Sequence, residues 1–134
     1  MIRTRAYHAL FYVSVFALSF RFYDRLFRFV GWKRLAKWKG IAAWSDGRFD
    51  VWIVQASRKN LQPKFNRKRV GINHLALTAR RRSDIDLLAR RFLRPRRIST
   101  LYGSPKMQPY RKVYYAVYFE DPDRMKIEVV YVRD

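Results

Sequence analysis

The chain carries one order of predicted structural elements twice. The runs at residues 6–13 (AYHALFYV) and 72–79 (INHLALTA) are short and apolar, contain a histidine near the start, and precede a helix-like segment. Their length and their β-branched or aromatic content predict a strand for both. Three more strand-like runs follow each helix-like segment. The order strand, helix, strand, strand, strand is therefore repeated, and self-similarity of this size strongly constrains the architecture.

In the first copy, Phe22, Leu26 and Phe29 form the apolar stripe of the predicted helix, with Ser19 as its N-cap. Gly40 and the Asp-Gly pair at 46–47 are turn residues that separate the runs after this helix. The predicted strands of the first copy are Arg34–Trp38, Ile41–Trp44 and Phe49–Ala56.

In the second copy, Ser83 begins a pattern that resembles a capping box, with aspartate in place of glutamate. Ile85, Leu88, Ala89 and Phe92 then recur at the spacing of one helix face. The predicted strands of the second copy are Ile98–Tyr102, Lys112–Glu120 and Met125–Val132.

These elements predict an α+β fold made of two tandem βαβββ modules. The single helix of each module can cover one face of its sheet, which leaves the other face free to curl around a shared cavity. The predicted curved sheets are mixed. We expect module one over about residues 1–57, a linker over 58–70 and module two over about 71–134, all within one domain, because 134 residues rarely support two cores.

The chain has a large excess of positive charge, with 30 Lys and Arg against 10 Asp and Glu and a formal net charge of +20. A nucleic-acid-binding surface would concentrate this charge. Here 14 basic residues lie in 1–67 and 16 in 68–134, which indicates a bias of the whole surface. Nucleic-acid binding is therefore an alternative that the pattern does not favour. The absence of cysteine excludes disulfides and sulfur-ligated metal centres.

The first twenty residues also have features of a secretory signal, because Arg3 and Arg5 precede the apolar run Ala6–Phe20. That run is shorter than the roughly 20 residues that span a bilayer as a helix. It also has a counterpart in the second copy, which favours a structural role. We therefore expect a cytoplasmic protein that does not bind membranes, with secretion or a periplasmic location as the alternative.

Three side chains are candidate metal ligands. The two histidines of the chain, His8 and His74, lie at matched positions in the two copies, and Glu128 interrupts an apolar strand. A carboxylate is costly to bury unless it is paired or binds a metal. Two imidazoles and one carboxylate suit Mn(II), Fe(II), Ni(II) or Zn(II). The alternatives are structural histidines, and a Glu128 that faces water on an edge strand or pairs with a cation.

Residues 114–130 (YYAVYFEDPDRMKIEVV) resemble the closing signature of the vicinal oxygen chelate superfamily, which includes glyoxalase I, bleomycin-resistance proteins, fosfomycin-resistance enzymes and extradiol dioxygenases. His8, the helix segment Phe22–Leu26 and the segment Gly31–Lys33 agree with the first repeat of that superfamily, so the resemblance covers nearly the whole chain.

The resemblance implies metal ligands on the first and last strands of each repeat. His8, His74 and Glu128 match three of those positions, and the fourth falls on Trp52, which cannot bind a metal. A three-ligand site is similar to that of the fosfomycin-resistance enzymes and the extradiol dioxygenases. In this superfamily such a glutamate can also serve as a general base, which would make Glu128 catalytic.

Trp52, Tyr114 and Tyr118 are the candidate substrate-binding residues. Strand alternation predicts that they line the cavity, and the alternative for each is a core side chain. Tyr118 also matches a tyrosine that contacts substrate in the fosfomycin-resistance enzymes, which the resemblance implies. Two positions depart from the family pattern. Leu10 stands where those enzymes carry threonine, and Arg124 stands where the family has a turn glycine, so a positive φ there would cost roughly 1 kcal/mol.

The resulting prediction is a divalent-metal-dependent, glyoxalase-like enzyme that acts on a small oxygenated molecule through His8, His74 and Glu128. The alternative is a non-catalytic protein of the bleomycin-resistance type that sequesters a flat ligand; Trp52 at a ligand position favours it. A homodimer is expected from the family, because the edges of such sheets commonly pair between chains.

Overall fold

A computed structural model describes all 134 residues, which form two compact units, Met1–Lys64 and Phe65–Asp134. The elements of the first unit are β1 (His8–Val13), α1 (Phe16–Phe29), β2 (Lys33–Trp38), β3 (Ile41–Ser45) and β4 (Asp50–Gln55). The elements of the second unit are β5 (His74–Thr78), α2 (Arg82–Leu88), which continues through a π-helical segment (Ala89–Leu93) and a 3₁₀ turn (Arg94–Arg96), β6 (Lys106–Met107), β7 (Val113–Glu120) and β8 (Lys126–Arg133).

Each unit contains one four-stranded mixed sheet, and the two sheets have the same topology. The strand order is β1-β4-β3-β2 in the first unit and β5-β8-β7-β6 in the second. The first and last strands of each unit pair in parallel, and the remaining pairs are antiparallel. The predicted α+β fold with two βαβββ repeats is confirmed.

The core of the first unit is aromatic. Trp44 on β3 is fully buried, and the rings of Tyr23 and Phe27 on α1 lie 6.2 and 5.4 Å from it. The predicted apolar stripe was wrong at Phe29, which is exposed. The predicted N-cap was also wrong, because the helix begins at Phe16 and Ser19 is an interior residue of the helix. The buried face of α1 consists of Ser19, Tyr23, Leu26 and Phe27, so that only Leu26 of the predicted stripe belongs to it.

The start of α1 is stabilised from the end of β4. The Gln55 side chain accepts a hydrogen bond from the Phe16 amide at 2.8 Å and donates to the backbone oxygens of Ser14 and Ala56 at 2.9 and 3.0 Å. An amide at the first turn of a helix has no partner within the helix. Gln55 supplies the partner that Val15, the residue at the N-cap position, cannot provide.

The second unit buries the helix face that the sequence predicts. Ile85, Leu88 and Phe92 are almost completely buried, and α2 lies against β7 and β8. The N-cap is Arg81 and not Ser83: an Asp84 side-chain oxygen accepts a hydrogen bond from the Arg81 amide at 3.0 Å.

The predicted strand Ile98–Tyr102 was wrong. Arg97 and Tyr102 adopt the left-handed conformation, with φ of 55° and 59°, and this interrupts an extended chain at both ends of the segment. Only Thr100 forms an isolated bridge, with Phe119 on β7. The edge strand of this sheet is β6, which lies later in the chain.

The apolar run Ala6–Phe20 contributes β1 and the first turns of α1, and β1 pairs with β4 along its whole length. None of the helices has the length and apolar character that crossing a membrane requires.

Candidate functional site

A cavity of about 460 Å³ lies on one face of the second unit's sheet. Successive strand residues point to opposite faces. Tyr115 points toward α2, where its hydroxyl donates to Asp86 at 2.6 Å, so Tyr114 and Tyr118 lie on the opposite face. The lining residues are His74, Tyr102, Lys106, Gln108, Tyr110, Tyr114, Tyr118, Lys126 and Glu128.

Glu128 is the buried carboxylate of this cavity and is only 2% exposed. It lies on β8, between β5 and β7, so the alternative of a water-facing glutamate on an edge strand was wrong. One carboxylate oxygen accepts a hydrogen bond from the Tyr114 hydroxyl, and the other lies 3.1 Å from His74 Nε2. One oxygen of the buried carboxylate therefore has a hydrogen-bond donor and the other lies against the His74 ring.

The ring of His74 is oriented by its neighbour Asn73. Asn73 Nδ2 donates to the backbone oxygen of Arg67 at 3.2 Å, so Asn73 Oδ1 is the atom that faces His74 Nδ1 at 2.9 Å. An amide oxygen can only accept, and His74 Nδ1 therefore carries a proton. This tautomer makes Nε2 the nitrogen whose lone pair is available to a metal or to a proton shared with Glu128.

The spacing of Nε2 and the glutamate oxygen fits a cation between them. Two acceptor atoms 3.1 Å apart repel each other unless a proton or a metal ion lies between them, and this distance suits adjacent ligands on one divalent ion. The oriented Nδ1–H of His74 is the outer-shell hydrogen bond that metal-binding histidines usually make. Within the second unit no third histidine or carboxylate joins His74 and Glu128.

The tyrosines of the cavity differ in acidity. Burial, followed by the hydrogen bond and charge of Glu128, raises the pKa of Tyr114, and burial together with that charge raises the pKa of Tyr118. Both hydroxyls therefore stay protonated and can donate. The pKa of Tyr102 is lowered instead, chiefly by a hydrogen bond with Lys126, whose Nζ lies 3.3 Å from the hydroxyl.

Of the remaining predicted site residues, His8 lies at the start of β1 in the first unit. Its side chain is exposed, and its ring lies edge-on to Tyr7, with 5.3 Å between the centroids. The role of His8 as a third metal ligand stays a prediction.

Trp52 is the counterpart of Glu128 in the first unit. Trp52 is opposite Leu10 in the parallel register, and Glu128 is opposite Ala76; in each case the partner lies two residues after the histidine. The rings of Trp52 and Trp38 stack with centroids 6.3 Å apart. An indole thus occupies the position where the second unit carries its carboxylate.

Sequence reasoning missed five residues of the cavity, and for only one was there a usable signal. Lys126 lies two residues before Glu128 on β8, so strand alternation places both on the same face. The other four lie in or beside irregular backbone between α2 and β7, where no periodicity reveals which way a side chain points: Tyr102, Lys106, Gln108 and Tyr110.

Comparison with known proteins supplies the family. No family model matches the sequence. The Bacillus subtilis protein YqjT is 36% identical over 124 residues, which cover 92% of this chain and 96% of YqjT. The crystal structure of a glyoxalase-family protein from Bacillus halodurans is 31% identical, with a TM-score of 0.87 over 95% of each chain.

Two more distant structures share the fold. Lactoylglutathione lyase from Agrobacterium tumefaciens is 19% identical, with a TM-score of 0.70 over 97% of this chain and 95% of its own. A glyoxalase/bleomycin resistance protein from Albidiferax ferrireducens is 20% identical, with a TM-score of 0.72 over 95% and 98%. Together with the repeated βαβββ topology, these similarities assign the chain to the glyoxalase/bleomycin-resistance/dioxygenase family of the vicinal oxygen chelate superfamily.

Proposed function

We propose that the protein is a divalent-metal-dependent, glyoxalase-like enzyme that binds a small oxygenated molecule in the cavity of the second unit. The observation that carries the proposal is the pairing of the buried Glu128 with His74 across 3.1 Å, on the wall of a cavity large enough for a small molecule. Perturbed or paired titratable groups in a concave site are the usual mark of a functional site.

His74 Nε2 and Glu128 are the proposed ligands of the second unit, with His8 as the predicted third ligand. When bound, a divalent ion such as Mn(II), Fe(II), Ni(II) or Zn(II) would supply Lewis acidity toward an oxygen of the substrate. The chain's own groups prepare the site: Asn73 holds the tautomer of His74, and the Tyr114 hydroxyl holds one oxygen of Glu128.

Glu128 is also the proposed general base. A carboxylate oxygen within reach of a bound molecule can take the proton that the molecule gives up. Tyr114 and Tyr118 are proposed to contact the substrate, because both line the cavity. The raised pKa keeps the hydroxyl of Tyr118 protonated as a donor, whereas Tyr114 donates its proton to Glu128 and would contact the substrate through its ring or its oxygen.

Metal analysis of the purified protein tests the proposal. After reconstitution with each of the four ions and removal of excess, we expect about one equivalent per chain for at least one ion, and less than about one tenth for His74→Ala and Glu128→Gln. Glu120→Gln is the matched control, because Glu120 is the only other glutamate and does not line the cavity. His8→Ala tests the third ligand. If the unmodified protein bound less than about one tenth of an equivalent of every ion per chain, the proposal of a metal-dependent enzyme would be refuted.

The second candidate function is a non-catalytic binder of a flat or aromatic ligand. Trp52 favours it, because an indole stacked on Trp38 offers an aromatic surface where a ligand atom for a metal would otherwise lie. Screening of small aromatic molecules against chelator-treated protein, followed by tryptophan fluorescence, distinguishes the non-catalytic binder from the metal-dependent enzyme. Binding that survives without metal and disappears in Trp52→Ala supports the binder, and binding that requires metal supports the enzyme.

We also propose that the protein is a homodimer. Sedimentation equilibrium should give twice the chain mass of 16.3 kDa at micromolar concentration. A single species of chain mass over that range would contradict the dimer.

A further inference from the structure

The acidic group and the basic groups of the second unit's cavity differ in their partners within the protein. The single carboxylate, Glu128, is paired with His74 and Tyr114. The two lysines of the lining, Lys106 and Lys126, form no ion pair with a carboxylate. The cavity therefore carries two ammonium groups against one carboxylate, and neither ammonium group is in contact with a carboxylate.

The carboxylate nearest to Lys126 in register is already occupied. Lys126 is opposite Glu120 on β7, but Glu120 pairs with Arg67 and with Arg124, whose Nε lies 3.2 Å from its carboxylate. Two guanidinium groups thus hold the carboxylate that could otherwise neutralise Lys126. The ammonium group is left for a partner from outside the chain.

Tyrosines hold this ammonium group in place. Lys126 Nζ lies 3.3 Å from the Tyr102 hydroxyl and 5.2 and 5.7 Å from the ring centroids of Tyr102 and Tyr118. The two rings meet edge to face, with centroids 5.4 Å apart. Contacts with ring faces hold a cation without neutralising it.

The backbone at Tyr102 is strained in a way that supports this arrangement. Tyr102 has a φ of 59°, a conformation that costs a bulky residue about 1–2 kcal/mol. Strain of this kind persists where the surrounding structure requires it, and it often lies at ligand-binding sites. Here the strained residue is the one that contacts Lys126.

We propose that Lys126, Tyr102 and Lys106 form an anion-binding subsite, and that the ligand of the cavity is a small molecule with a carboxylate or phosphate group. Lys126 and Glu128 lie two residues apart on one face of β8, so their backbones are about 7 Å apart. One small molecule can therefore reach both, with its anionic group at Lys126 and its reacting oxygens at His74 and Glu128. The proposal rests on the proposed function only in requiring that this cavity binds a ligand.

Titration of the metal-free full-length protein with inorganic phosphate and with acetate, at constant ionic strength, tests the subsite. Chemical shifts in ¹H–¹⁵N spectra should move saturably for residues around Lys126 and Tyr102. Lys126→Met should weaken the affinity at least fivefold, because a hydrogen-bonded charge is lost. Lys39→Met is the matched control: it removes one exposed lysine from the first unit and should leave the affinity unchanged.

Tighter binding of phosphate or of acetate identifies the anionic group and supports the subsite. The absence of a saturable shift with either ion, or an equal loss of affinity in Lys126→Met and Lys39→Met, overturns it. If Lys126→Met does not fold, Tyr102→Phe and Lys106→Met carry the same comparison.

The titration is independent of the metal. Chelator-treated protein of unmodified sequence should bind phosphate or acetate whatever the outcome of the metal analysis. If the protein binds phosphate or acetate but no metal, only the proposal of a metal-dependent enzyme is contradicted. If it binds metal but neither anion, only the proposal of the anion-binding subsite is contradicted.

Discussion

Glu128 depends on two polar contacts because it is almost completely removed from water. The Tyr114 hydroxyl and the His74 ring each contact one of its oxygens. A buried charge that loses one partner retains its desolvation cost without the compensating interaction. The stability of the second unit and the chemistry of its cavity therefore depend on the same pair of contacts.

Tyr114→Phe removes the hydroxyl and leaves the ring. We expect the free energy of unfolding in urea to fall by about 1–3 kcal/mol, because one oxygen of the buried carboxylate loses its donor. Tyr110→Phe is the control: Tyr110 lines the same cavity but is exposed, so the free energy of unfolding should change by no more than about 0.5 kcal/mol. Equal effects of the two substitutions would contradict the role of Tyr114.

Glu120 links stability to pH. Burial alone would raise its pKa, but hydrogen bonds and charges from Arg67 and Arg124 outweigh burial and lower the pKa below the ordinary value of 4.5. A carboxyl group with a lowered folded-state pKa stabilises the fold above its unfolded pKa, and this contribution is lost as the pH falls through the folded value.

Glu120→Gln should therefore be less stable than the unmodified protein at pH 7, by about 1–2 kcal/mol. The difference should shrink as the pH falls below about 4.5 and vanish once Glu120 is protonated in the folded protein. Urea unfolding of both proteins between pH 7 and pH 3 measures it. A difference that stays constant with pH would show that the charge of Glu120 is not its source.

At the scale of elements, the boundaries of the helices and the edge strand came from contacts that are distant in sequence. Gln55, at the end of β4, sets the start of α1 through hydrogen bonds that cross about forty residues. The edge of the second sheet formed at Lys106–Met107, because left-handed backbone at Arg97 and Tyr102 interrupts the segment predicted as a strand. Local periodicity identifies elements but does not locate such ends.

Gln55→Ala tests how strongly β4 stabilises the start of α1. It removes an acceptor for the Phe16 amide and a donor to two backbone oxygens, so the free energy of unfolding should fall by about 1–3 kcal/mol. Gln108→Ala is the control, because the side chain of Gln108 makes no hydrogen bond. This substitution should change the free energy of unfolding by less than about 0.5 kcal/mol. Chemical denaturation followed by circular dichroism measures both.

At the scale of the whole molecule, the net charge of +20 acts through the surroundings and not through the fold. Ten carboxylates cannot neutralise thirty basic side chains, and the positive charge is spread over both units. Attraction to any polyanion is therefore expected at low salt. Attraction of this kind depends on counterion release and weakens steeply as salt increases.

The basic residues are spread along the chain and form no concentrated cluster that would make DNA binding specific. We therefore expect the affinity for duplex DNA, measured by fluorescence anisotropy, to disappear near physiological salt. Sequence-dependent binding with a dissociation constant below about 10⁻⁷ M at that salt would contradict this expectation and favour the nucleic-acid alternative. The phosphate binding proposed at Lys126 is distinguished from this attraction because it is localised, so that Lys126→Met alone should weaken it.

The sequence by itself determined the repeated βαβββ order and singled out His74, Glu128, Tyr114 and Tyr118. Strand alternation, helix periodicity and a carboxylate within an apolar strand are local patterns, so they can be seen without coordinates. The tertiary structure alone decided that His74 Nε2 lies beside Glu128, 54 positions away, and that Tyr102 holds Lys126. Those contacts join side chains from irregular backbone and separate strands, and their geometry depends on packing that no local pattern encodes.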